Sequence, residues 1–506
     1  MPIRLPAIAF LALSSLVSMS AAAPVATYDV RSYGAKGDGV TLDSPAINRA
    51  IAAARAAGGG TIYFPAGIYL SGSIHLQSHI SLYVEAGAVI EASSLPEAYD
   101  PPEPSGFAAF QDFGHSHWHN SLIWGEDLED ISILGPGVIH GTGLTRGEAP
   151  RTGNKAIALK LCRNVTIRDV SILMAGHFGI LVTGVDNLTI DNVKIDTNRD
   201  GIDIDACRNV RVSNCSVNSP WDDAIVLKSS YALGFARATE NVTITNCQVS
   251  GWDRGTFHSG KFEQNDPRAP DRGSPTGRIK LGTESNGGFR NIAISNCVFV
   301  RSRGLALEAV DGGDMEDVVI SNITMRDIGN SPIFLRLGAR LRAPAGTPVG
   351  AMRRITISSV TVYDADPRFG SIISGITGHP IEDVKLNNIR IVYRGGGTAE
   401  QSALIPEENE KDYPEPRMFG DMPVSGFYIR HASGVELTDV EISFMKEDRR
   451  PLIAFSDVKG IRILNLNAPR VPNVPMFVLD KVEDFAVRFT RGVPDTYMDR
   501  ADRKSF

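Results

Sequence analysis

The sequence has few cysteines, no excess of positive charge and no long apolar run beyond its first residues. Five cysteines among 506 residues are an odd number and too few for a disulfide scaffold. The 51 Lys and Arg residues are outnumbered by 58 Asp and Glu residues, so no basic field is available for nucleic acid. No segment reaches the roughly 20 apolar residues that span a bilayer. These absences argue against a disulfide framework, nucleic-acid binding and a membrane span.

The first residues have the pattern of an export signal. Arg4 precedes an apolar run from Ala7 to about Val17, and small residues follow at positions 20–23. A short apolar run between a basic start and a small-residue cleavage site is typical of a secretory signal. We therefore expect residues 1–23 to be removed and residues 24–506 to form one domain of a periplasmic or secreted protein.

Short β-branched phrases recur along the chain, each preceded by Asn or Asp. They begin at Asn164, Asn187, Asn209, Asn241, Asn291 and Asp317. The first two intervals are 23 and 22 residues, which fits one coil of a solenoid whose strands stack about 4.8 Å apart. The later intervals of 32, 50 and 26 residues fit one coil plus insertions. The repeat predicts an all-β chain folded as a single right-handed parallel β-helix.

A second repeated phrase sets the register of neighbouring coils. Its third position is always Ile or Leu, as expected of a stacked interior column: Ile180, Ile202, Ile225, Ile279, Leu305 and Ile333. Its first position lies at the entrance of the strand, where a following Gly permits a bend. Side chains at that first position are therefore expected to turn outward.

The ends and the longest connection can be placed on this solenoid. Asp43 or Ser44 can cap a short helix from Pro45 to about Ala57, which would close the open end of the stack. Residues 396–425, rich in Gly, Pro and Glu, are expected to form a long loop that could block one end of a groove. The residues from about 490 onward are expected to form a polar tail.

Three carboxylates converge on this register. Asp200 lies one coil below Asp223, and Asp222 stands beside Asp223. Stacked strands about 5 Å apart bring the groups close enough to shift one another's pKa, leaving one protonated as an acid and another ionised as a base. Adjacent Asp residues also occur at calcium sites and in ordinary turns. The shared column favours catalysis over these alternatives.

The residues around this trio resemble a known family. Asn198 to Asp203, followed by Asp222 to Ile225, is similar to the Asn-Thr-Asp and Asp-Asp signatures of glycoside hydrolase family 28, which contains polygalacturonases and rhamnogalacturonases. The chain resembles an atypical bacterial member from about residue 28 to beyond 360. The resemblance implies hydrolysis of a pectic glycan with inversion, without a metal or cofactor. It makes Asp222 the general acid, while Asp200 and Asp223 position the attacking water.

The sequence also departs from the family pattern. The family's Gly-His-Gly segment falls on residues 276–278 and lacks its histidine, and the Arg-Ile-Lys segment falls on Ala306 to Glu308. In polygalacturonases that Arg and Lys hold a galacturonate carboxylate on the leaving-group side, and Glu308 would repel it. We therefore expect cleavage of a galacturonosyl-rhamnose linkage, as in rhamnogalacturonan, rather than of plain polygalacturonate.

Cations elsewhere on the same face are candidates for substrate binding. One column carries charges of both signs: Asp205, Lys228, Glu308 and Arg336. Lys228 and Arg336 either read a substrate carboxylate or form, with the acidic residues, a solvated ladder of opposite charges. Arg278 and Lys280, in the coil above Asp223, are further candidates for reading a carboxylate.

Histidines and an arginine complete the set of candidates. His177 precedes a strand one coil below Arg199, so both are expected to contact substrate. The insertion from Gly251 to Gly277 carries His258, which either supplies the missing family histidine or lies on a plain surface loop. The alternating histidines of GHSHWHN, residues 114–120, have metal-like spacing, but a cleft wall with Trp118 stacking on a sugar is favoured.

Two other functions remain open from the sequence. A calcium-dependent pectin or pectate lyase would use a basic residue to abstract a proton, and Lys228 near Asp205 and Asp223 could serve. A non-catalytic β-helix that binds or displays polysaccharide is the other. In either case we expect a monomer whose partner is a pectic poly- or oligosaccharide.

Overall fold

The chain winds as a parallel β-helix. The computed structural model describes residues 26–146, 153–266 and 273–506, so the expected signal at residues 1–23 lies outside the described residues. Each coil contributes strands to three stacked parallel sheets, and the predicted all-β solenoid is confirmed.

One sheet carries the paired Asp motifs and is called the site sheet here. Its strands stack in parallel in chain order. They are Ile74–His75, Ile123–Glu126, Lys155–Lys160, Phe178–Thr183, Ile202–Asp205, Ile225–Ser229, Ile279–Ser285, Leu305–Ala309, Ile333–Leu337 and Ser371–Ser374, followed by the first residues of Phe427–Lys446, Ile453–Asn467 and Phe477–Arg488.

The second sheet contains the Asn-led phrases. Its strands are Thr27–Asp29, Gly60–Phe64, Ile80–Val84, Glu129–Leu134, Arg163–Arg168, Asp186–Asp191, Arg208–Ser213 and Thr239–Thr245. The third sheet follows it in each coil, with strands Asp38–Leu42, Gly67–Ser71, Ala88–Ala92, Val138–His140, Ser171–Leu173, Lys194–Asp196, Ser216–Asn218 and Gln248–Ser250. In the later coils these two sheets share continuous strands, which are Phe289–Ser302, Met315–Ile328, Met352–Ala365 and Ile381–Gly395.

The coil lengths follow the predicted repeat. Val165 pairs with Leu188 and Leu188 pairs with Val210, which are steps of one coil each. Asn residues at the starts of strands in the second sheet have positive backbone φ angles. Their side chains donate hydrogen bonds to one another along the stack, as from Asn187 to Asn164. Asn tolerates this left-handed backbone better than most residues, which explains its recurrence ahead of each phrase.

The interior column is also as predicted. Ile180, Ile202, Ile225, Ile279, Leu305 and Ile333 are all buried in one continuous hydrophobic core. Because side chains alternate along a strand, residues such as Asp203 and Lys280 project from the other side of the site sheet. The strands therefore bury aliphatic residues on their inner side and present charged residues on their outer side.

A single α-helix, Ser44–Ala56, closes the N-terminal end of the stack, as predicted. It packs Ile47 and Ile51 into the core. Asp43 occupies the N-cap position but makes no side-chain cap, because its carboxylate accepts hydrogen bonds from the backbone N–H groups of Lys36 and Gly37. Short 3-10 helices lie at Val30–Tyr33, Pro96–Ala98, Ala108–Phe110, Phe113–Ser116, Glu400–Ala403 and Pro416–Phe419.

The C-terminal residues do not form the expected tail. Strands Thr496–Ala501 and Lys504–Ser505 pair antiparallel with Phe477–Arg488, the last coil. A stack of parallel strands ends in an unpaired edge, and these residues cover it. The prediction of a polar tail was wrong because the exposed edge gives a polar segment backbone partners that its own composition does not reveal.

Candidate active site

The coil register brings three carboxylates together at the entrance of two strands. Ile202 pairs with Ile225, which places Asp200 directly below Asp223. Asp200, Asp222 and Asp223 each offer an oxygen atom, and these atoms lie within 4.8 Å of one another. The convergence predicted from the sequence is therefore present in the structure.

Gly201 allows this approach between coils. A Cβ atom at Gly201 would lie 2.3 Å from Cγ1 of Val217 and 2.5 Å from the backbone oxygen of Ala224. No larger residue fits there without moving the coil above. The Gly that follows Asp200 in the motif thus holds the two acidic coils close together.

Asp223 is surrounded by buried cations. Its carboxylate accepts a hydrogen bond from Arg278 Nε at 2.8 Å, and Lys280 Nζ lies 3.4 Å away. Burial acts to raise the pKa of Asp223, but the charges of Lys280 and Arg278 outweigh it and lower that pKa to about 2. Asp223 is therefore an ionised carboxylate at any pH near neutrality.

Asp200 has the opposite character. It is almost completely buried, and burial together with the neighbouring charge of Asp222 raises its pKa well above the usual value. Asp203, three residues later, is also buried and its pKa is raised well above the usual value by burial and by Asp200. Asp200 and Asp223 are neighbours in space whose pKa values are shifted in opposite directions, as acid and base catalysis requires.

Asp222 is the most accessible of the three carboxylates. Its side chain is 26% exposed, and its Oδ2 atom lies 2.5 Å from Nη2 of Arg199 in the coil below. Arg199 was predicted to contact substrate. In the structure it contacts Asp222, to which the resemblance assigns the role of general acid.

Asp222 and Asp223 open into a pocket of about 440 Å³. This volume lies within the range of about 300–1,000 Å³ that is usual for ligand sites. The wall contains four acidic and four basic residues, together with Trp221, Tyr413, Thr276 and Met418. The charged members are Asp222, Asp223, Asp412, Glu415, Arg278, Lys280, Arg303 and Arg417.

The long loop predicted at residues 396–425 forms one side of this pocket. Glu415 Oε1 lies 2.6 Å from Arg278 Nη2 and 3.4 Å from Arg303 Nη1. The Tyr413 hydroxyl accepts a hydrogen bond from Lys280 at 3.3 Å. The loop therefore supplies five residues to the wall, which no local motif had indicated: Asp412, Tyr413, Glu415, Arg417 and Met418.

The same loop covers the outer side of the site sheet above the pocket. Phe419, Met422 and Val424 pack on a second hydrophobic cluster formed by outward-facing residues of the later coils, which are Ala306, Phe334, Ile372, Tyr428 and Ala454. Arg336 and Arg430 fix the loop from below, because they donate to the backbone oxygens of residues 406–409. The loop is therefore packed closely on the outer side of the later coils.

A second segment covers the site sheet below the pocket. Trp118 is buried against Ala158, Phe178 and Leu181, and its indole N–H donates to the Thr183 hydroxyl. His115 Nε2 lies 3.0 Å from Asp203 Oδ2, and burial keeps the pKa of His115 well below its usual value. The outer side is thus covered on both sides of the three carboxylates, which leaves a pocket rather than an open groove.

His177 lies where the sequence placed it but is mostly buried. Its ring stacks on Phe178 with centroids 4.1 Å apart, and its Nδ1 atom lies 3.2 Å from the backbone oxygen of Arg146. Burial and the charge of Arg199 lower its pKa well below the usual value. The neutral ring of His177 therefore lies one coil below Arg199.

Lys228 and Arg336 do not read a substrate carboxylate as predicted. Lys228 is buried, with its Nζ atom 3.1 Å from Glu284 and 4.0 Å from Asp203. Arg336 is buried and holds the long loop, as described above. The solvated ladder was wrong as well, because all four charged residues of this column are buried.

Burial of Lys228 also removes support for the lyase alternative. A base that abstracts a proton must reach the substrate, but Lys228 is ion-paired with the Glu284 carboxylate. Asp205, the carboxylate named beside it, accepts hydrogen bonds from the backbone N–H and hydroxyl of Ser230. Neither group reaches the pocket, since neither belongs to its wall.

Glu308 is buried beneath the pocket rather than exposed to a leaving group. Its Oε2 atom lies 3.2 Å from Lys280, and its Oε1 atom lies 3.8 Å from Arg278. Burial raises the pKa of Glu308 to about 7, although the two cations oppose this shift. Arg278 and Lys280 therefore do line the pocket as predicted, but protein carboxylates already balance their charges.

The remaining histidine predictions meet different outcomes. His258 is exposed and does not line the pocket, and its backbone N–H donates to Asp196. The three histidines of residues 114–120 do not share one face, because His115 contacts Asp203, His117 contacts the Glu103 backbone and His119 contacts Glu126. Trp118 is buried and offers no surface to a sugar.

Cation binding at the three carboxylates is disfavoured by charge. Asp222 is paired with Arg199, and Asp223 is paired with Arg278 and Lys280. Asp200 is the remaining member, and its raised pKa makes it a poorer cation ligand than an ordinary carboxylate. Within the described part of the chain, no helix is long and apolar enough to cross a membrane.

Comparisons with known proteins agree with this architecture. A family model described as rhamnogalacturonase A/epimerase, pectate lyase-like, matches residues 27–95, and a right-handed β-helix model matches residues 144–269. A probable polygalacturonase of Vitis vinifera is 27% identical over 227 residues, 41% of each chain. Another, from Arabidopsis thaliana, is 24% identical over 61% of this chain and 60% of its own length.

The solved structures show the same fold. The family 28 exopolygalacturonase of Yersinia enterocolitica superposes with a TM-score of 0.67 at 20% identity, covering 89% of this chain and 80% of its own. The matches to the two plant relatives span 41% and 60% of their lengths. This chain is a right-handed parallel β-helix similar to the polygalacturonases, and the resemblance to glycoside hydrolase family 28 that its Asp motifs indicated is confirmed.

Proposed function

We propose that this protein is an exported glycoside hydrolase that cleaves the galacturonosyl-rhamnose linkage at the ends of pectic chains or in short oligosaccharides. The observation that carries the proposal is the set of three converging carboxyl groups, two of which line the pocket, in which the pKa of Asp200 is raised and that of Asp223 is lowered. Hydrolysis of a glycosidic bond needs one acid and one base on opposite sides of the bond.

The assignment of roles combines the resemblance with the geometry. Asp222 is the exposed carboxyl group and donates the proton to the leaving oxygen. Asp223 is ionised and, with Asp200, orients and activates the water. The resemblance to family 28 supports inversion at the anomeric carbon. Proton NMR tests this by following the anomeric form of the first product.

The closed pocket supports action at a chain end. Phe419, Met422 and Val424 fill the outer side above the three carboxylates, and Trp118 fills it below. A polymer running through the site would clash with both coverings. We therefore expect monosaccharide or short products to appear early, without a fall in the viscosity of the polymer solution.

The balance of charge in the pocket supports a neutral sugar there. Arg278, Lys280 and Arg303 each have a protein carboxylate oxygen within 3.4 Å, so a uronate would have to displace one. Rhamnose needs no such exchange and can lie against Trp221 and Tyr413. The family match at residues 27–95 favours the same polymer class but includes none of the pocket residues.

The test compares product release from rhamnogalacturonan oligosaccharides and from oligogalacturonate. We expect saturated products from the first, and the Asp222→Asn variant should lose about 10²–10⁴-fold in kcat/KM because general acid catalysis is removed. Asp364→Asn is the matched control, since Asp364 forms a similar 2.5 Å pair with Arg394 far from the pocket.

Three results would contradict the proposal. Unsaturated products that require calcium would indicate a lyase. Faster cleavage of oligogalacturonate than of rhamnogalacturonan oligosaccharides would contradict the rhamnose assignment. Retention of either glycan without new reducing ends would indicate a non-catalytic binding protein.

A further inference from the structure

Arg199 differs from the other cations near the three carboxylates. Arg278 and Lys280 are buried and each contacts at least two carboxylates. Arg199 is 17% exposed, and Asp222 is the carboxylate that it contacts among the described residues. Its Nε atom is buried and has no hydrogen-bond partner within the described part of the chain. The guanidinium group therefore has unused hydrogen-bonding capacity.

The position of Arg199 places it in the path of a substrate. Ile180 pairs with Ile202 and Ile202 with Ile225, so His177, Arg199 and Asp222 follow one another up successive coils. These residues lie at the strand entrances, beside the carboxylates and next to the pocket. When one sugar unit of the substrate occupies the pocket and the glycan chain passes Asp222, the next sugar unit lies at Arg199.

The ion pair raises a chemical difficulty for the proposed mechanism. A general acid must present a protonated oxygen to the leaving group, and the guanidinium group of Arg199 lies 2.5 Å from Asp222 Oδ2. Hydrolysis with Asp222 as the acid requires Arg199 to leave it when substrate binds.

A substrate carboxylate can cause this change. A planar guanidinium group binds a carboxylate through two parallel hydrogen bonds, and a uronate presents such a group. We infer that Arg199 is a substrate-sensing residue that passes from Asp222 to the carboxylate of a bound galacturonosyl unit, and so frees the partly exposed Asp222 to take up from solvent the proton that it then donates to the leaving oxygen. This inference rests on the proposed function.

The charges around Arg199 permit the exchange. Asp222, Asp200, Asp203 and Asp112 outweigh the effect of burial and raise the pKa of Arg199, so it stays a cation whichever carboxylate it binds. His177 beneath it is kept neutral by burial and by Arg199 itself. The exchange therefore moves one ion pair without creating a second buried charge.

The consequence is a preference for a free uronate over its ester. A methyl-esterified galacturonosyl-rhamnose oligosaccharide has the same bond to cleave but no carboxylate to attract Arg199. It should leave Arg199 on Asp222, and its kcat should fall more than its affinity. The wild-type protein should favour the free acid over the ester by about tenfold or more in kcat/KM, the effect of one charged hydrogen bond.

The test measures kcat and KM for both substrates with four proteins. In Arg199→Gln the preference should disappear, because kcat/KM falls for the acid and stays equal or rises for the ester. Arg199→Lys keeps a cation without the planar fork and should recover part of the preference. Arg394→Gln, which breaks the matched pair with Asp364, should keep the wild-type ratio.

Three outcomes are decisive. Equal losses on both substrates in Arg199→Gln would mean a structural role and overturn the inference, while the hydrolase proposal would stand. An unchanged preference for the free acid in that variant would do the same. Absence of hydrolysis of either substrate by the wild-type protein would overturn the proposed function, and this inference with it.

Discussion

The two flanks of the carboxylate trio use cations in opposite ways. Above it, Arg278 and Lys280 are buried among Asp223, Glu308 and Glu415, and their charges are fixed. Below it, Arg199 is partly exposed and pairs with the accessible Asp222. A buried network sets the state of one carboxylate permanently, because breaking it leaves an unpaired charge out of water. A partly exposed pair can exchange partners at low cost.

The largest effect is expected from breaking the buried flank at its centre. Asp223→Asn removes the carboxylate that Arg278 and Lys280 share. We expect a loss of about 3–5 kcal/mol in the free energy of unfolding, because buried cations lose their compensation. Hydrolysis should also fall by about 10²–10⁴-fold if Asp223 activates the water.

Urea unfolding of wild type, Asp223→Asn and Asp222→Asn checks this difference between the flanks. Asp222→Asn should lose about 1 kcal/mol or less, since its pair with Arg199 is partly exposed. Equal losses of stability in the two variants would contradict the distinction between a fixed and an exchangeable flank.

A single substitution in the long loop should allow a cation of the buried flank to exchange its partner. Glu415→Gln removes the loop carboxylate from Arg278 and Arg303, which frees a guanidinium group to hold a uronate. We expect the ratio of kcat/KM for oligogalacturonate to that for rhamnogalacturonan oligosaccharides to rise about tenfold. Glu410→Gln, an exposed residue of the same loop, is the control and should leave the ratio unchanged.

Glu308 should make the stability of the buried flank depend on pH. The pKa of Glu308 is raised from 4.5 to about 7 in the folded protein, chiefly by burial. Its favourable contribution to stability is therefore complete below about pH 4.5 and is lost as the pH rises through 7. Between pH 4.5 and 7.5 the wild-type protein should lose up to about 3 kcal/mol more stability than Glu308→Gln.

Chemical denaturation of both proteins at several pH values measures this difference, in which groups common to both cancel. Glu382→Gln, an exposed substitution, should follow the wild-type curve. A Glu308→Gln curve parallel to the wild type would mean that Glu308 is ionised throughout and that its cations outweigh burial.

The sequence predicted much of the site because repetition encodes register. Asp200 and Asp223 occupy the same position of a repeated phrase, so their proximity could be deduced without coordinates. Arg278 and Lys280 could be placed one coil above them by the same rule. Their partners could not, because Glu415 and Tyr413 come from a loop more than 130 residues later, and nothing in the repeat places that loop.

Lys228 and Arg336 show where the repeat misleads. Their column was predicted correctly, but the sequence does not say whether a column faces water or lies under a loop. Arg336 lies against the Phe419 ring of the long loop and Lys228 is paired with the buried Glu284, so both cations are buried structural groups rather than readers of substrate.

The sequence by itself determined the β-helix, its interior aliphatic columns, the closing helix and the meeting of Asp200, Asp222 and Asp223. These features depend on spacing within a repeat, which is local information repeated in every coil. Only the tertiary structure decided that the site sheet is covered on both sides of the trio, that the pKa of Asp223 is lowered while that of Asp200 is raised, and that Arg199 is paired with Asp222. Burial and charge depend on contacts between segments far apart in the chain, and loop packing rather than periodicity sets those contacts.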